Sequence, residues 1–172
     1  MLFHSLIKTP AKRNITKLLR YGEPNVLAVK ADTRERDNSL WDTGGGLFRD
    51  VKVLVTDSQF YLMRHPLYIT TPSITEQEAT VSVQVEMACY TNQATLKTEL
   101  VITDAQGNEV ARQMEDLPFN RKMRTCEYRL KDIRLENPKL WSCETPHLYT
   151  AQVTIYHENG EVADRASDRF GI

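Results

Sequence analysis

Val81-Ser82-Val83-Gln84-Val85-Glu86-Met87 alternates strictly between apolar and polar side chains. Successive side chains of an extended chain point to opposite faces, so Val81, Val83, Val85 and Met87 share one face while Ser82, Gln84 and Glu86 share the other. Such a strand belongs in an antiparallel sheet with one face on a core and one in water. The same period of two recurs at Leu96, Thr98, Leu100 and Ile102, at Cys126, Tyr128 and Leu130, and at Tyr149, Ala151, Val153 and Ile155. The intervals between these strands are short, as in a sandwich.

The connections carry turn chemistry. Asp104-Ala105-Gln106-Gly107-Asn108 closes one hairpin, and Asn159-Gly160 joins two residues that tolerate the positive φ of a type I′ turn. Pro66, Pro72, Pro118, Pro138 and Pro146 are read as segment ends, where a missing N–H costs no ladder bond. Residues 58–172 are therefore expected to form an all-β, immunoglobulin-like β-sandwich of about seven antiparallel strands, with no amphipathic helix. The Cys…Trp…Cys pattern of an antibody domain is missing, so the likeness is one of architecture.

The first 57 residues read differently. Asn14 is placed to cap a short helical turn through Ile15-Thr16-Lys17-Leu18-Leu19 that ends near Gly22. Asn25-Val26-Leu27-Ala28-Val29-Lys30-Ala31 and Val51-Lys52-Val53-Leu54-Val55 have strand composition, separated by a charged loop and a glycine triplet, Gly44-Gly45-Gly46. Two or three strands make only a marginal sheet, so this stretch is expected to be the tail of a larger domain.

Composition removes several function classes. Among 172 residues, 22 Lys and Arg face 23 Asp and Glu, a net charge of −1, which gives no field to hold a nucleic-acid backbone. No apolar run reaches the roughly 20 residues of a membrane helix. Cys89, Cys126 and Cys143 are odd in number and widely spaced, matching neither a disulfide framework nor a zinc pattern. His4, His65, His147 and His157 show no ligand spacing. The glycine triplet lacks the following Lys-Ser/Thr helix of a phosphate-binding loop, so a turn is the expected role.

Four groups of residues carry a further signal. They are Ile15-Thr16, Leu18-Leu19, Gly22 and Asn25-Val26-Leu27-Ala28-Val29; then Trp41, Gly44, Gly46, Leu47, Phe48, Arg49 and Val51; then Asn137-Pro138-Lys139-Leu140-Trp141-Ser142 with Glu144, Pro146, Leu148 and Tyr149; and finally Phe170-Gly171-Ile172. In this order and spacing the chain resembles glycoside hydrolase family two, which includes β-galactosidases, β-glucuronidases and β-mannosidases. The resemblance implies that residues 1–57 are the C-terminal remnant of a jelly-roll domain of sugar-binding type, that 58–172 are the sandwich, and that the catalytic barrel lies outside this stretch. Leu40 and Asp42 depart from the arginine and aromatic that often flank the family's tryptophan, so no sugar preference is carried over.

Retaining glycosidases use two carboxyl groups about 5–5.5 Å apart. Here Glu76, Glu78, Glu86, Glu99 and Asp104 are scattered over polar strand faces and loops, so no catalytic residue is expected. The resemblance places both catalytic glutamates in the barrel and implies two-step hydrolysis of a terminal β-linked sugar through a covalent glycosyl-enzyme. It implies no cofactor in this stretch, and a divalent or monovalent metal ion in the parent. It points to Asp37, Asn38 and Trp41 as residues touching carbohydrate, and to the parent's barrel and jelly roll as partners, in a bacterial cytoplasm or periplasm. Trp141 and Tyr149 read either as a sugar platform or as a core plug whose polar tips find partners, the plug being preferred. Two other classes stay open. One is a free-standing carbohydrate-binding or adhesion module with an exposed aromatic row, and the other is a homodimer formed through an edge strand near residues 25–31 or 51–55.

Overall fold

A computed structural model of the chain describes residues 13–30, 50–57, 60–90, 95–118 and 125–172. The chain divides into two units, Met1–Lys52 and Val53–Ile172.

The second unit is an all-β sandwich. Its strands are β1 (Phe60–Ile74), β2 (Glu78–Cys89), β3 (Thr95–Thr103), β4 (Glu109–Pro118), β5 (Thr125–Arg129), β6 (Ile133–Glu136), β7 (Tyr149–Tyr156) and β8 (Val162–Phe170). One sheet has the order β1-β2-β5, with β6 also on β2, and the other has the order β4-β3-β7-β8. Every pairing is antiparallel. The chain crosses between sheets from β2 to β3, from β4 to β5 and from β6 to β7, the Greek-key connectivity of an immunoglobulin-like fold.

Eight strands occupy seven positions. β5 pairs with residues 84–88 of β2 and β6 with residues 78–81, so the two lie end to end along one edge. Leu130 donates its N–H to the Val83 carbonyl at 2.9 Å, continuing the ladder across the break. The alternation Cys126, Tyr128, Leu130 thus marks an interrupted edge strand.

Val81, Val83, Val85 and Met87 of β2 meet Leu96, Leu100 and Ile102 of β3 and Ala151, Val153 and Ile155 of β7 in one core. Burying a large aliphatic side chain contributes roughly 1.5–3 kcal/mol, which makes this inner layer the main source of stability. The outer face of β2 is drier than its polar residues suggest, with Ser82 only 5% exposed. As the central strand it is flanked by β1 on one side and by β5 and β6 on the other, whose side chains screen its outer row.

Pro66 and Pro72 are not segment ends. Both lie inside β1, in register shifts between Leu62 and Leu67 and between Thr70 and Ser73. An edge strand tolerates proline at a bulge, because the absent N–H faces no ladder partner there. The N–H of Leu62 is taken at 2.9 Å by the Asp164 carboxylate of β8, which links the edges of the two sheets.

Neither hairpin turn is type I′. At residues 157–160 only Gly160 has positive φ, at 85°, and its N–H donates to the His157 carbonyl at 2.9 Å. That is a type I turn closed by a glycine bulge, and the neighbouring register shift at Tyr156 agrees with it. The turn at residues 104–107 repeats the device with Gly107 at φ 83°. Asp104 locks it by accepting the N–H groups of Gln106 and Asn108 at 2.9 and 2.8 Å.

In the first unit, Thr16–Leu18 forms one 3-10 turn whose N-cap position is Ile15, with no side-chain cap bond, so Asn14 is not the cap. Its Oδ1 instead accepts the Thr16 N–H at 3.0 Å in a local turn just before it. Asn25 ties the next turn, donating to the Arg20 and Glu23 carbonyls at 2.8 and 2.9 Å. Residues 25–30 of the first unit, and 50–57 where the second unit begins, lie outside any strand among the described residues. Val26 and Val55 are 94% and 92% exposed. Strand composition alone does not make a strand where no ladder partner stands among the described residues.

Candidate functional site

Asp37, Asn38 and Trp41, with the glycine triplet and Arg49, lie outside the described residues. The residues of the third and fourth sequence groups converge instead at one end of the sandwich. Asn137 leaves β6 with φ 46°, a left-handed conformation that asparagine tolerates, and its N–H donates to the Gln77 carbonyl at 2.7 Å. Pro138 is buried behind it.

The next residues hold the last strand in place. Lys139 donates its N–H to the Tyr149 hydroxyl at 2.8 Å. Tyr149 is buried and lies 5.8 Å from the Phe170 ring, its cross-strand partner in the β7–β8 ladder. Tyr149 is thus a core residue whose polar tip finds a partner. Trp141 donates its N–H to the Ile172 carbonyl at 2.6 Å, and Ile172 itself is buried. A Cβ on Gly171 would lie 3.0 Å from Trp141 Cβ and 3.1 Å from its Cγ, so the indole packs directly on glycine backbone.

Trp141 does not plug the core. It remains 48% exposed and stands beside half-exposed Leu140, so this end of the sandwich presents an apolar step to solvent. Ser142 and Thr145 close the turn that follows, with Oγ and Oγ1 2.9 Å apart and the Ser142 N–H donating to the Thr145 carbonyl at 3.1 Å.

Several acids of the sandwich serve ladders and turns. Glu99 on β3 pairs with Arg112 on β4 and accepts the Tyr156 hydroxyl of β7 at 2.6 Å. Glu109 meets the same guanidinium through two bonds of 2.9 and 2.6 Å. That bidentate bond holds the Glu109 carboxyl below its usual range, while the bond to Glu99 raises the Tyr156 phenol. The Asn108 side chain and backbone likewise lower the Asp104 carboxyl. For Asp104 and Glu109 the direction is opposite to that of a general acid in a glycosidase. Among the described residues no group of three or more His, Cys, Asp or Glu side chains is gathered to hold a metal ion.

Fold and junction define an immunoglobulin-like sandwich domain. Residues 65–172 match the model for glycosyl hydrolases family 2, and the chain belongs to that family. It is 30% identical over 165 residues to a β-galactosidase of Bacteroides ovatus, covering 92% of this chain and 18% of that protein. A β-glucuronidase of Bacteroides fragilis is 24% identical over 168 residues, covering 92% of this chain and 24% of its own length. A solved glycosyl hydrolase family 2 member from Bacteroides cellulosilyticus shares the fold with TM-score 0.61 at 24% identity, over 66% of this chain and 14% of that one. This chain therefore spans less than a quarter of these relatives.

Proposed function

We propose that this chain is the non-catalytic scaffold of a β-galactosidase-like retaining glycosidase, holding a catalytic barrel that hydrolyses terminal β-linked sugars. The observation that carries this reading is the family match over residues 65–172, the sandwich itself, in a chain that makes up only 18% of the β-galactosidase relative. The acids described above support it, because they are engaged in salt links and turns on the outside of the sheets, whereas retention needs two opposed carboxyls about 5–5.5 Å apart. In this reading residues 1–57 belong with a jelly roll, Asp37, Asn38 and Trp41 reach the edge of the sugar site, and any metal ion is held by other parts of the parent.

Hydrolysis of a panel of chromogenic β-glycosides tests the proposal, using this chain beside a chain extended through the residues that follow Ile172 in its gene. Turnover by the longer chain alone is the expected result. Turnover by the 172-residue chain, or none by either, would reject it.

A further inference from the structure

Trp141 has two unequal faces. One is covered by the backbone of Gly171, with its Cβ, Cγ and Cδ1 between 3.0 and 3.2 Å from where a Gly171 Cβ would stand. The other contributes to the 48% of the residue that meets solvent, next to Leu140 at 39%. A tryptophan left half bare against a second apolar side chain is an unfinished contact, since the indole gains most when both faces are covered.

The geometry ties this contact to the direction in which the chain leaves the sandwich. β8 ends at Phe170, which is held through Tyr149, and Tyr149 in turn accepts the Lys139 N–H at 2.8 Å. Two residues later the Ile172 carbonyl is fixed by the Trp141 N–H at 2.6 Å, while the Ile172 side chain is buried. Residues 139–141 thus grip residues 170–172 at three successive points. The exit from the last strand is a clamp, with no free hinge between Phe170 and Ile172.

We propose that Trp141 is a positioning residue: it clamps Gly171 and Ile172 with one face and docks, through its exposed face and Leu140, on the domain that follows residue 172. This deepens the function proposed above and rests on that reading for the identity of the occupant. The first part of a following domain must emerge within a few ångströms of the indole, because Ile172 is bonded to the Trp141 backbone. The match covers only 18% and 24% of two relatives, so proteins of this family have ample length for such a domain. Catalysis would feel the clamp through placement, as misplacing a reacting group by about 1 Å can cost on the order of 100-fold in rate.

Two measurements test it. Hydroxyl-radical footprinting, read by peptide mass, compares oxidation of Trp141 in this chain and in the chain extended beyond Ile172. Several-fold protection in the longer chain is expected, and equal reactivity in both would overturn the docking. In the extended enzyme, Trp141→Ala and Gly171→Ala should lower kcat/KM by about 10- to 100-fold, mostly in kcat, with Trp141→Phe recovering most of the loss. Kinetics within about twofold of wild type in both variants, with KM and kcat unmoved, would overturn the positioning role. If Gly171→Ala does not fold, Trp141→Ala, Trp141→Phe and the footprint still decide. An inert extended chain in which Trp141 is protected would reject the glycosidase reading and leave the docking standing. An active one with Trp141 fully reactive would do the reverse.

Discussion

Residues 81–87 and residues 25–30 are both rich in valine and other strand formers, yet one is the central strand of a sandwich and the other belongs to no strand. The difference lies in what each can pair with and cover. β2 has β1 on one edge and β5 with β6 on the other, and its inner row meets β3 and β7 in the core. Val26, Leu27 and Val29 are exposed, and the Asn25 side chain at the start of the segment bonds locally to Arg20 and Glu23. Strand propensity is a preference for a pleated, half-buried surface, and it acts only when that surface is available.

Substitutions of the same kind in the two regions should separate them most. Leu100→Ala, in the buried row of β3, is expected to cost about 2–5 kcal/mol in denaturant unfolding, while Leu27→Ala, exposed in the first unit, should stay within about 0.5 kcal/mol. Comparable losses at both sites would break the contrast, since Leu27 would then be buried in a fold that the described residues do not show.

A smaller effect sharpens the role of edges. Asp164→Ala removes the acceptor of the Leu62 N–H and leaves a partly buried donor unpaired, so about 1–3 kcal/mol should be lost, with β1 exchanging its amide hydrogens faster than β3. Uniform exchange in both strands would show that the two sheets are not joined through this carboxylate.

The smallest expected effect is confined to alkaline pH. The Tyr156 phenol is raised by its bond to Glu99, so folding favours its protonated form. Its contribution is fully present below the ordinary phenol value of about 10 and is lost as pH rises through the higher folded value. Tyr156→Phe should therefore flatten the fall in stability above about pH 10 without changing the profile near neutrality. An alkaline profile identical to wild type would remove the Glu99 bond from the ladder's stabilising contacts.

The sandwich was legible because its signal is local. The alternations at Val81, Leu96, Cys126 and Tyr149 each name their own buried face, and the structure buries Val81, Leu96, Cys126 and Tyr149. The unread features depend on partners. Asn159-Gly160 suits two turn types, and the register of β7 against β8 selects the one with a single left-handed residue. Pro66 looks like a strand end until β1 is known to be an edge that can bulge. Trp141 could not be assigned from its neighbours in sequence, because the glycine beneath it is Gly171, brought there by the β7–β8 hairpin. Of the candidate site, Asp37, Asn38 and Trp41 lie outside the described residues, whereas the 137–149 and 170–172 segments, read separately in the sequence, prove to be one junction.

That this chain serves the chemistry without performing it is tested most directly by a mechanism-based fluoroglycoside, which traps the covalent glycosyl-enzyme of a retaining enzyme. The reagent is applied to the chain extended beyond Ile172, and the labelled peptide is located by mass. The expected result is one glycosylated carboxylate beyond residue 172 and none within residues 1–172. A label on any Asp or Glu within residues 1–172 would contradict it and make the sandwich or its leading segment part of the active site.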